Sequence, residues 1–88
     1  VSEKENALLV FPNPSYNFIN LKYQSKENGL LTIELYDITG KTVYHDEVMK
    51  SNDLLQLQIT SDQFSNGIYT MAVKSLNGQS YQKVFVQH

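Results

Sequence analysis

An all-β sandwich of about seven short strands follows from three features of the sequence. Apolar and polar residues alternate with a period of two in several short runs. Turn-forming residues recur roughly every 8–12 positions, and no stretch holds the 3.6-residue helical period over a useful length. All four glycines (29, 40, 67 and 78) fall in predicted turns and none inside a predicted strand.

The chain is organised around the stretch from Leu31 to Val43. Leu31, Ile33 and Leu35 alternate with Thr32, Glu34 and Tyr36, which gives one apolar pleat face and one polar face. The alternation stops at Asp37. Asp-Ile-Thr-Gly suits a tight reversal, since Asp37 can accept backbone N–H bonds and Gly40 can take a positive φ. Lys41 to Tyr44 then resumes extended chemistry.

Before this hairpin, residues 1–6 are charged and read as a linker. Ala7 to Phe11 is a short apolar strand, ended by Pro12-Asn13-Pro14, which removes two N–H donors and fixes φ twice. In Phe18 to Tyr23, Ile19, Leu21 and Tyr23 face one way, with Phe18, Asn20 and Lys22 opposite. Ser25 to Gly29 is a polar loop closing on Asn-Gly.

After the hairpin's first strand, Thr42 to Val48 is ambiguous in facing, because Val43 and Tyr44 are both apolar. Lys50 to Asp53 reads as a polar connection. Leu55, Leu57 and Ile59 form the buried side of the next strand. Thr60 to Gly67 has capping chemistry at its start, room for one helical turn, and Phe64 as a plug. Tyr69, Met71 and Val73 mark the inner side of a strand from Ile68 to Lys74. Leu76-Asn77-Gly78-Gln79 is the strongest two-residue hairpin signal, and Tyr81 to Val86 is the last strand.

Composition narrows the function classes. Eighty-eight residues form one domain, and a chain this size buries only about 60% of its unfolded surface. Apolar residues at 41%, with ten Tyr and Phe, suffice for a two-layer core. There is no Cys, so neither a disulfide nor a thiolate metal site is available. A net charge of −2, with seven Lys and no Arg, argues against nucleic-acid binding. No apolar run approaches the roughly 20 residues of a membrane span. The polar start, Val-Ser-Glu-Lys-Glu-Asn, is unlike a signal peptide, so an exported domain would draw its signal from elsewhere on a longer protein.

Catalytic groups are sparse. His45 and Glu47 fall on one face of a strand and form at most a weak metal-ligand pair; a solvated edge strand accounts for the same residues. His88 stands at the C-terminus. Asp37, Asp53 and Asp62 sit beside turns without the Asp-x-Asp-x-Asp spacing of a calcium loop. No nucleophile elbow, phosphate loop or His-Glu-x-x-His pattern is present, and no enzyme or cofactor is expected. Among the aromatics, Tyr69 follows the buried register. Tyr36, with Phe85, is the candidate for a small exposed cluster, the one feature pointing toward glycan binding.

The order of four motifs carries a resemblance. Phe11-Pro12-Asn13-Pro14 is followed by Leu35-Tyr36-Asp37-Ile38-Thr39-Gly40-Lys41-Thr42-Val43, then Asn66-Gly67-Ile68-Tyr69, then Lys83-Val84-Phe85-Val86. In this order and spacing they resemble the type A C-terminal sorting domain of the type IX secretion system of Bacteroidota, over nearly the whole chain from about Leu8. The resemblance implies an immunoglobulin-like sandwich spanning 8–88, without activity of its own, that directs a covalently fused N-terminal cargo through the outer-membrane translocon with a shuttle barrel protein. A sortase-like cysteine peptidase would then remove it, the cargo being joined to an anionic lipopolysaccharide, with cleavage within or before residues 1–7. Location would be periplasmic in transit, then secreted or on the surface of a Gram-negative bacterium.

Recognition in that family depends on the final motif. Carried onto this chain, it falls on Gly67, Ile68, Tyr69, Lys83, Val84, Phe85, Val86, Gln87 and His88. Pro12, Asn13, Pro14, Asp37 and Gly40 match too, and turn formation explains them. Many members close on Lys or Arg, where this chain has Gln87 and His88. Docking through the last strand is the mechanism expected, since a sheet edge offers free N–H and C=O groups. Pairing of that edge with a second copy, a carbohydrate-binding or adhesion module, and a structural spacer are the alternatives.

Overall fold

The computed structural model describes residues 7–11, 17–26, 28–76 and 78–87. Seven strands follow in order: β1 Ala7–Phe11, β2 Phe18–Gln24, β3 Gly29–Tyr36, β4 Thr42–Lys50, β5 Leu54–Thr60, β6 Gly67–Ser75 and β7 Gly78–Val86. They form two antiparallel sheets, one ordered β1-β2-β5 and the other β4-β3-β6-β7. Proline 12 and its neighbours Asn13 and Pro14 lie outside the described residues, as does Asn77.

The alternation read from sequence decides which side chains meet between the sheets. Ile19, Leu21 and Tyr23 of β2 are buried, as are Leu31, Ile33 and Leu35 of β3. Tyr69, Met71 and Val73 of β6, with Val84 and Val86 of β7, complete one continuous core, against which Leu55 and Leu57 are packed. β3 lies between β4 and β6, so the stretch at the centre of the sequence is also interior to its sheet.

The β3–β4 turn forms as its residues dictate. Asp37 Oδ1 accepts from Thr39 N at 2.9 Å, Thr39 Oγ1 at 2.6 Å and Lys41 N at 3.0 Å. Gly40 N donates to the Asp37 carbonyl at 3.0 Å, and Gly40 takes φ +89°, a conformation L side chains avoid. The turn closes on a bulge. Leu35 pairs with Tyr44 and Tyr36 with Thr42, so Val43 is passed over in the register. The passed-over residue puts both Val43 and Tyr44 against the core and resolves the ambiguous facing of this strand.

Some boundaries differ from the sequence reading. Gly29, Gly67 and Gly78 open strands instead of sitting inside turns. Ser75 pairs with Gly78, which moves the hairpin bend one residue toward the N-terminus. The expected helical turn is a single 3₁₀ turn at Ser61–Gln63. Thr60 gives it no side-chain cap, but Phe64 plugs the core and meets Tyr44 edge-on at 6.3 Å and Tyr69 at 5.8 Å. β4 runs on to Lys50, which the polar reading placed in a loop. Lys50 is 1% exposed, and its ammonium donates to the Ser25 carbonyl at 2.6 Å and Asn28 Oδ1 at 3.1 Å. A buried ammonium is tolerable because fixed oxygens replace its water, and here it ties the β2–β3 loop to the end of β4.

Candidate functional site

Two motifs separated in sequence meet in the β6–β7 hairpin. Gly67 pairs with Val86, Ile68 with Phe85, Tyr69 with Val84 and Thr70 with Lys83. The alternation of the two strands then sorts the candidate recognition residues by face. Tyr69, Val84 and Val86 point into the core. Ile68 and Phe85, each 45% exposed, stand side by side on the outer surface, and Lys83 and Gln87 are exposed as well. His88 lies outside the described residues. Among the described residues β7 is the last strand of its sheet, hydrogen-bonded to β6, and β1 of the other sheet runs close to it.

The hairpin is fixed at its open end by Tyr69. Its hydroxyl donates to the Ser65 carbonyl at 2.6 Å, four residues upstream, while its ring packs on Phe64. This bond holds the connection from β5 against the start of β6. Gly67 begins β6 at φ +155°, and a Cβ there would meet nothing within 4 Å, so the requirement for glycine is conformational, not steric. No motif read in the sequence predicted the Tyr69–Ser65 bond; its only sign was a tyrosine at an inward position just after a turn.

Beyond the hairpin, the outer face of the four-stranded sheet carries a charged hub. Glu34 accepts from Tyr36 Oη, from Lys74 Nζ at 2.9 Å and from His45 Nδ1 at 2.9 Å. Tyr36 foremost, then Lys74 and His45, hold the Glu34 carboxyl down from 4.5 to about 2. The same Tyr36 and Glu34 push Lys74 upward. Lys74 also lies 5.5 Å from the centre of the Tyr36 ring. Tyr36 therefore has its hydroxyl bonded and an ammonium over its ring. His45 is 4.0 Å from Glu47 and turned to Glu34. No group of three His, Cys, Asp or Glu suited to a metal occurs among the described residues. A shallow, open groove of about 670 Å³ crosses this face, lined by Tyr36, Ile38, Ile68, Thr70, Tyr81 and Lys83.

This geometry defines a small all-β module, two sheets on one core, with a two-motif hairpin along one edge. A protein-family model, the secretion system C-terminal sorting domain, matches residues 9–87, and the chain belongs to that family, the sorting domain of type IX secretion. No curated protein matches the chain. The crystal structure of dimeric latent PorU from Porphyromonas gingivalis shares the fold, with a TM-score of 0.69 and 20% identity over 92% of the chain. A beta-glucosidase from Listeria innocua in complex with glucose matches with a TM-score of 0.53 and 14% identity over 96% of the chain. The chain spans 9% and 16% of the length of these two proteins. Membership implies a secreted or cell-surface protein, a cargo fused to this domain and association with the type IX secretion system. The family is one of secretion signals and generally non-catalytic.

Proposed function

We propose that this domain is a non-catalytic export label read through the β6–β7 hairpin. The observation that carries the reading is the pairing of Gly67-Ile68-Tyr69 with Val84-Phe85-Val86 along a sheet edge. The partner docks along β7, where Ile68, Lys83 and Phe85 are presented on the outer surface for selectivity. Tyr69, Val84 and Val86 act by holding that strand in place, and Gln87 follows it, exposed. The partners are the translocon and its shuttle barrel protein, reached from the periplasm of a Gram-negative cell. A sortase-like cysteine peptidase then cuts within or before residues 1–7, upstream of the domain at 8–88, and the cargo is attached to the surface.

The sandwich is of the immunoglobulin-like type. Support comes from the sheet orders β1-β2-β5 and β4-β3-β6-β7, and from the tyrosine near the start of β6 bonded to backbone upstream.

The test is export of a reporter fused to the domain. Removing Phe85 to the C-terminus should leave the fusion in the periplasm. Because Val86 is part of the core, the paired variants Ile68→Ala and Phe85→Ala separate recognition from folding. They should reduce export while leaving the melting curve of the isolated chain nearly unchanged. Normal export of both the truncation and the double variant would remove β7 from the mechanism.

A further inference from the structure

We propose that the outer face of the three-stranded sheet is a binding surface for an uncharged oligosaccharide. This site is separate from the β6–β7 hairpin and does not rest on the export reading.

The register sets three rows of side chains across this face. Phe11 stands opposite Asn20, and Asn20 opposite Gln58; Leu9 opposite Lys22, and Lys22 opposite Gln56; Ala7 opposite Gln24, and Gln24 opposite Leu54. Four of these side chains are amides, two are exposed leucines, and Lys22 is the single charge. Phe18, 42% exposed, continues the apolar rim beyond Asn20. Two shallow depressions of about 260 and 270 Å³ adjoin one another, with Lys22 lining both.

The chemistry of this face is unlike that of the opposite one. There Glu34, Glu47, Lys74 and Lys83 spread both signs of charge across the face. Here those positions hold neutral amides, each of which both donates and accepts. Vicinal sugar hydroxyls require that combination, and the C–H faces of pyranose rings suit exposed aromatic and aliphatic surface. Gln58 Nε2 donates to Asn20 Oδ1 at 3.1 Å, which orients both amides and leaves the Asn20 N–H groups and the Gln58 oxygen uncommitted. The Lys22 ammonium lies 6.0 Å from the centre of the Phe11 ring, keeping its N–H donors along the face. A ligand of high charge would find one cation and no carboxylate to answer it, so a neutral glycan is the occupant that fits.

The experiment is an amide chemical-shift titration of the 88-residue chain with cellohexaose, laminarihexaose and a linear mannohexaose. Saturable shifts are expected at Asn20, Lys22, Gln56 and Gln58 with at least one of the three. Gln56→Ala combined with Gln58→Ala should weaken that binding at least about tenfold, while Tyr81→Ala on the other sheet should leave it unchanged. These substituted glutamines are surface or half-exposed, so the melting temperature should hold. Absence of saturable shifts with all three glycans, or shifts confined to the Tyr36 and Tyr81 face, would overturn the proposal. Export of the fused reporter by the same double variant is a separate readout: full export with lost glycan binding leaves the secretion reading intact.

Discussion

Three residues do more than fill space, and each makes a measurable difference. Tyr69 spends its hydroxyl on the Ser65 carbonyl, at the point where β6 leaves the 3₁₀ region. Tyr69→Phe keeps the ring on Phe64 and removes one bond, so urea denaturation should show a loss of about 1 kcal/mol. Gly40 sits at φ +89°, and Gly40→Ala should cost about 1 kcal/mol through backbone strain, with the β3–β4 register unchanged by chemical shift. Glu34 is the pH-sensitive member. Its folded-state pKa of about 2 lies below its ordinary 4.5, so the charged form is the stabilising one. That contribution is fully present above the ordinary value and disappears as pH falls from there through about 2. The wild-type urea midpoint should therefore fall more steeply over that acid range than the midpoint of Glu34→Gln.

At the scale of the element, strand alternation was legible because neighbouring side chains face opposite sides whatever the sheet around them. The inward sets of β2, β3 and β6 were each named correctly from the sequence. Strand ends were less legible. Glycine opens β3, β6 and β7 because ladder hydrogen bonds continue through it once a partner strand is present, whereas its local preference says only turn. The end of β4 was missed for a similar reason. Lys50 looks like solvent chemistry, and only the arrival of Ser25 and Asn28 lets it be buried. The β6–β7 hairpin combines both lessons. Its two motifs were read from the sequence, but their direct pairing needed the register. A variant with Val84→Ala and Val86→Ala should expose the element's dependence on the core. Each truncation should cost about 1–3 kcal/mol, measured by urea unfolding, before any effect on export is considered.

Across the whole molecule, one core joins both sheets, and it should unfold as a unit. Ile33→Ala or Leu35→Ala, both fully buried on the central strand, should lower stability by about 2–5 kcal/mol, with fluorescence and circular dichroism transitions remaining coincident. Pairings such as β2 with β5 and β3 with β6 join residues far apart in sequence, so folding is expected on the millisecond-to-second scale.

From its residues alone the chain determined an all-β architecture, the inward face of most strands, the Asp37–Gly40 reversal and the motifs that place it among secretion sorting domains. Each of these rests on interactions between residues close in sequence or on a period of two. The fold alone decided which motif pairs with which, that Lys50 is buried, and that Tyr36 bonds Glu34. It also decided that four scattered amides share one face. Those outcomes depend on register between distant strands, and register is set only when both sheets close on their common core.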